Sequence, residues 1–233
     1  MLRPWKPNRL TPYRRPLHTG RKNIELARLL RQRNVELEHK TRLLDETYQK
    51  FAILGQIGQE ITSTIDFEVI FERLYRHVNA LMDATVFSID IYHPEDELIE
   101  YRFCLEKNER LPIVFVPLAD QHSLSAWCIR NRQEIVINNV ETEIQRYIPR
   151  FEILVGEAAS SILYIPLMME DRCLGAISVQ SFECNAYSPY HQLILKTLAS
   201  YTAIALSNAH TFEKLTLAFN HIELKNREIE HIN

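Results

Sequence analysis

The sequence predicts an α+β fold: a central antiparallel β-sheet, long N- and C-terminal helices on one face, and short helices with a ligand pocket on the other. Three observations predict it. Long helix-forming stretches rich in Leu, Glu, Arg and Gln open and close the chain, with no proline between Pro16 and Pro94. Short runs rich in β-branched and aromatic residues, bounded by turn residues, fill the middle. The links between successive runs are short, so the strands pair as hairpins in an antiparallel sheet.

The first helix is expected from about 23 to 62. Leu30, Leu37, Leu44 and Phe51 recur every seven residues, interleaved with Ala27, Asn34, Thr41, Tyr48 and Gly55. That is a heptad seam with one apolar and one small or polar row, and Asn34 on it favours a parallel, in-register pair. Thr62, Ser63 and Thr64 break the pattern, and Asp66 is placed to cap a second helix carrying Val69, Ile70, Leu74, Val78 and Leu81 at helical spacing. Strands are expected at 85–92 and 98–105, joined through Pro94 and Asp96, and again at 112–118 and 134–139. A short helix should follow Ser123 to about Asn131, and another should occupy 141–150. The runs 161–169 and 173–182 form the strongest hairpin, turning at Glu170, Asp171 and Arg172. Ser188 and Pro189 then start a long exit helix. Its tail repeats the heptad through Phe212, Leu215, Phe219, Ile222, Asn226 and Ile229.

Charge is distributed unevenly. Residues 1–33 carry ten Lys or Arg against the single acid Glu25, while the whole chain has a formal charge of −3, so the body is acidic. With prolines at 4, 7, 12 and 16, residues 1–22 read as a disordered, solvated basic arm. The arm lacks aromatics at stacking spacing, so nucleic acid is not expected as a partner. It also lacks the apolar core of a secretory signal, and no run approaches the roughly 20 apolar residues of a transmembrane segment. The expected location is cytoplasmic. Cys104, Cys128, Cys173 and Cys184 are too dispersed for a zinc knuckle or a C-x-x-C redox motif.

Residues 161–209 resemble the closing half of a GAF domain. A strand of the form S-x-x-x-x-P-L, here Ser161, Pro166 and Leu167, leads to a hairpin strand with Gly175, then a variable loop and a helix holding Ala199, Ala203, Ile204, Ala205, Asn208 and Ala209. The resemblance reaches back through 125–139 to 54–84. It implies a GAF/PAS-like sheet and a sensory input module, of the kind that serves diguanylate cyclases and sensor kinases. It also implies a homodimer through parallel terminal helices, a small-molecule ligand, and a downstream output domain or protein. The domain plan is then the basic arm at 1–22, an N-terminal coiled-coil helix at 23–52, the GAF domain at 53–210 and a C-terminal coiled-coil helix at 211–233.

Output chemistry is missing from the sequence. The five glycines form no P-loop or G-x-G-x-x-G, and G-x-S-x-G and H-E-x-x-H are absent, so no enzyme activity and no catalytic residue is expected. No bilin is expected, since residues 146–160 lack the Cys and His a bilin site uses, and no metal ligand cluster stands out among the nine histidines. His122 lies just before the Ser123 helix and reads as a surface or capping residue. Two alternatives remain: a thiol enzyme such as a free methionine sulfoxide reductase using Cys128, and a structural dimerisation scaffold without ligand. The ligand itself is unidentified. Its expected contacts are Tyr101, Phe103, Trp127, Asn139, Tyr147, Tyr164 and Gln180, because aromatic walls with a few placed amides suit a small amphiphile.

Overall fold

The computed structural model describes residues 18–150 and 156–230, without the side chains of 18–24, 46, 50, 224 and 226–230. The basic arm up to residue 17, the seam side chains of Asn226 and Ile229, and part of the 146–160 segment therefore lie outside the described residues. The chain divides into two compact units, one ending at Phe51 and the other beginning at Ala52.

In the first unit the described backbone is one helix. It is part of α1 (His18–Thr62), which begins five residues before the predicted start because nothing after Pro16 interrupts helical hydrogen bonding. Leu30, Leu37, Leu44, Tyr48 and Phe51 are all exposed on it.

The second unit holds the end of α1, then α2 (Phe67–Leu81), β1 (Val86–His93), β2 (Leu98–Glu106), β3 (Glu109–Arg110), β4 (Phe115–Pro117), α3 (Leu124–Asn131), β5 (Ile135–Ile137) and α4 (Val140–Glu143). A 3₁₀ turn at Ile144–Arg146, β6 (Ser161–Met169), β7 (Arg172–Ser181) and α5 (Pro189–Glu230) complete it. The seven-stranded sheet runs β3-β2-β1-β7-β6-β5, with β4 also pairing to β2, and every pair is antiparallel. The expected α+β architecture is the one observed.

Local chemistry accounts for the boundaries. The Asp66 carboxylate accepts from the Glu68 and Val69 N–H groups at 2.9 and 3.3 Å and caps α2. Ser188 Oγ accepts from His191 N–H at 3.3 Å, and Pro189 opens α5 in the first-turn position that does not need an N–H. Two segments are shorter than predicted. The strand expected at 112–118 shrinks to β4, since Pro112 and Pro117 cannot donate to a ladder. The helix expected at 141–150 tightens into a 3₁₀ turn and stops before Ile148, where Pro149 disfavours helical backbone.

One layer of core lies between the sheet and the long helices. It joins Leu54, Ile57 and Ile61 of α1 to Phe71, Leu74 and Val78 of α2, to Phe87, Ile89, Leu163, Ile165 and Ile177 of the sheet, and to Leu195 and Leu198 of α5. Each fully buried side chain of this kind contributes roughly 2 kcal/mol. Gly58 lets α1 approach α5, because a Cβ there would stand 2.6 Å from the Tyr201 ring. The other layer, under α3, α4 and the 3₁₀ turn, gathers Ile99, Ala126, Cys128, Ile129, Ile135, Ile137, Ile148, Ile162 and Ala176. Among the described residues, no helix is long and apolar enough to cross a membrane.

Candidate ligand site

Strand β1 reads V-F-S-I-D-I-Y, and period-two geometry sends Phe87, Ile89 and Ile91 to the long-helix face and Ser88, Asp90 and Tyr92 to the α3 face. On an edge or one-sided strand that polar set would meet water. Here β1 lies in the middle of the sheet between β2 and β7, and a second layer covers the face, so Ser88 and Asp90 are buried with Asp90 at 0% exposure.

The neighbours of Asp90 come from four elements. Ser125 and Cys128 project from α3, Tyr101 and Cys104 from β2, Tyr164 from β6, and Ser178 from β7 beside Ser88. The hydroxyls of Ser88 and Ser178 bond to each other at 2.9 Å. Tyr101 Oη meets Ser123 Oγ at 3.1 Å, and the same Ser123 oxygen accepts from Ala126 N–H at 3.1 Å, which caps α3 and ties it to β2. Both carboxylate oxygens of Asp90 and the Oγ of Ser125 have no hydrogen-bond partner. Ser125 and Ser88 lie close enough to ease the carboxylate, but neither reaches it with normal hydrogen-bond geometry.

Burial governs the electrostatics. It pushes the Asp90 carboxyl up to about 7, against which the two serines pull only partly. It raises the Tyr101 and Tyr164 phenols, with smaller contributions from charges that include Asp90, and takes the Cys104 thiol to about 12. Cys128 is likewise held well above the ordinary thiol range by burial first and by Cys173 second. The phenols and thiols around Asp90 are therefore neutral at physiological pH, and no cationic side chain is among the groups acting on it. Gly175 makes room at the same place, since a Cβ on it would stand 1.9 Å from the Asp90 carbonyl oxygen.

The structure brings together four of the seven expected contacts. Tyr101, Trp127, Tyr147 and Tyr164 all belong to the layer under α3, with Trp127 and Tyr147 edge-to-face at 4.9 Å. Tyr147 also hydrogen-bonds the Val136 backbone through its hydroxyl, at 3.4 and 3.3 Å, and so braces edge strand β5. Gln180 follows Ala176 and Ser178 on the same face by register and is half-buried. Asn139 caps α4, its Oδ1 accepting from Glu141 N–H at 3.0 Å. Phe103 does not belong with the others. A β-bulge sets Ile89 against Phe103 and Asp90 against Tyr101, leaving Arg102 as the extra residue. That reverses the alternation, so Phe103 faces α2 and packs against Phe71 at a tilt and against Phe87 edge-on. His122 is half-buried at the entrance to α3, its N–H donating to Asp120 Oδ1 at 2.8 Å. Sequence reasoning missed Asp90, Ser88, Ser125 and Ser178; the available signal was an acid in mid-strand between apolar runs.

A family model described as GAF domain matches residues 64–207. The GAF domain of the Acinetobacter phosphoenolpyruvate-protein phosphotransferase superposes with a TM-score of 0.54 at 17% identity, covering 70% of this chain and 95% of that one. The corresponding GAF domain from Coxiella burnetii gives 0.57 at 16% identity, with 70% and 96% coverage. The free methionine-R-sulfoxide reductase from Neisseria meningitidis, solved with its substrate, gives 0.53 at 14% identity, with 68% and 88% coverage. At such identities the likeness is one of fold. No curated protein matches the chain.

Proposed function

Because the chain belongs to the GAF domain family, whose members are sensory and regulatory modules, we propose that it binds a small ligand between the sheet and α3 and reports binding through its terminal helices. The observation that carries this reading is the trio of buried, unpartnered polar atoms, Asp90 Oδ1 and Oδ2 and Ser125 Oγ, set among Tyr101, Tyr164 and Trp127. A buried polar group without a partner costs about 1–3 kcal/mol, and more when charged, so a fold that holds three is built to be completed by something else. Asn139 and Gln180 stand at the margin of the same layer as further contacts.

Transmission has a short path. Tyr164 faces the site, while its neighbours Leu163 and Ile165 on β6 face the core that includes α5. A ligand that prefers one position of β6 and α3 biases α5 by its differential affinity. The exposed apolar seams, Leu30, Leu37, Leu44 and Phe51 on α1 and Phe212, Leu215, Phe219 and Ile222 on α5, support a parallel homodimer joined through both helices. The chain is then the input part of a signalling protein of the diguanylate cyclase or sensor kinase type, acting in the cytoplasm on an output domain or partner. A non-catalytic role is supported at Cys128, whose buried thiol is held in its unreactive protonated form.

A thermal-shift screen of small metabolites tests the reading. At least one compound should raise the melting temperature, and Ser125→Tyr, which fills the layer under α3, should abolish that shift. A library without a single stabilising compound would count against ligand binding.

A further inference from the structure

We infer that the ligand carries a positively charged nitrogen, an ammonium or amidinium group on a small aromatic or apolar body, and that Asp90 receives that charge. This rests on the ligand-binding reading above and names the chemistry of what is bound.

The case is one of charge balance in a closed layer. Asp90 offers two acceptor oxygens and no donor when ionised, and neither oxygen is used by the protein. Among the described residues, the groups around it are uncharged. From β2 come the Tyr101 phenol and the Cys104 thiol, from β6 the Tyr164 phenol, from α3 the Cys128 thiol and the Ser125 hydroxyl, from β1 and β7 the paired hydroxyls of Ser88 and Ser178. All of these are neutral, and their two ordinary hydrogen bonds, Ser88 to Ser178 and Tyr101 to Ser123, leave the carboxylate aside. Among the described residues no Lys, Arg or His side chain acts on Asp90.

A buried carboxylate alone is strongly disfavoured in its ionised form and takes up a proton instead; a positive charge beside it restores the ionised form. A ligand hydroxyl or amide would supply donors but no charge and would leave the carboxyl favouring its protonated form. An anionic ligand would add repulsion. A nitrogen cation supplies both the donors and the charge, and charge-assisted bonds to a carboxylate are the stronger kind. The aromatic rings of Tyr101 and Tyr164 belong to the same layer, and such rings attract cations; Ser125 Oγ, beside the carboxylate, adds a third acceptor.

Three probes of the same size test this: benzylamine, benzyl alcohol and benzoate, which differ in charge. Ligand-observed NMR on the full chain at pH 8 should give a dissociation constant for benzylamine at least roughly tenfold below those of the other two. Asp90→Asn, which keeps the shape and removes the charge, should weaken benzylamine by roughly tenfold or more and leave benzyl alcohol within about twofold. With wild-type protein, benzylamine should also weaken by roughly tenfold from pH 8 to pH 5.5, because the amine stays cationic while the carboxyl takes up its proton. That arm serves if Asp90→Asn fails to fold, and where the variant does fold its pH profile should be flat. Equal or tighter binding of benzyl alcohol or benzoate, with binding lost in Ser125→Tyr, would overturn the inference and keep the ligand site. Benzylamine binding that ignores both Asp90→Asn and pH would overturn it as well. Failure of all three probes would remove the inference together with the reading on which it rests.

Discussion

Asp90 is the residue on which the account turns, and its cost is measurable without any ligand. Its carboxyl titrates near 7 in the folded chain, against an ordinary value of 3.8 that the unfolded chain should keep. Between those values the folded state binds more protons than the unfolded one, so this group's contribution to stability falls as pH rises from about 4 to about 7 and is level above that. The span corresponds to roughly 4 kcal/mol. Urea unfolding of wild type and Asp90→Asn across pH 4–8 should therefore show a difference that shifts in favour of the variant as pH rises; a pH-independent difference would place the carboxyl outside the buried layer. At this scale the sequence was partly legible. That Tyr101, Trp127, Tyr147 and Tyr164 share one layer follows from size and apolar surface, which sequence displays. Asp90 does not, because an alternating strand with a polar row reads as half-exposed until the second layer over β1 is known.

Elements were read more securely than residues, and the reason is periodicity. The α2 cap at Asp66, the β6–β7 hairpin and the Pro189 start of α5 each carry a local signal whose physics is complete within a few residues. Asp66→Ala should accordingly cost about 1 kcal/mol in urea unfolding, since its carboxylate serves two N–H groups of the first turn and nothing else in the core. The bulge at Arg102 is the opposite case. Nothing in Y-R-F announces that Tyr101 and Phe103 part company, because the extra residue is set by pairing with β1 rather than by β2 itself. The consequence is that one ring is delivered to the layer under α3 and the other to the helix core, so β2 links the two. Strand β6 does the same through Tyr164 on one side and Leu163 and Ile165 on the other.

At the scale of the whole molecule, the α+β class and the antiparallel sheet were legible from the order of periodic segments. The charge state of the layer under α3 was not, since it arises from residues up to ninety positions apart, such as Ser88 and Ser178. The exposed rows on α1 and α5, Leu30, Leu37, Leu44 and Phe51 and Phe212, Leu215, Phe219 and Ile222, give the proposed dimer its surface. Native mass spectrometry of the freshly purified full chain tests the central claim most directly. The account predicts a species of two chains that carries one small basic molecule per chain, released on Asp90→Asn substitution; a bare single-chain mass for the wild-type protein would contradict it.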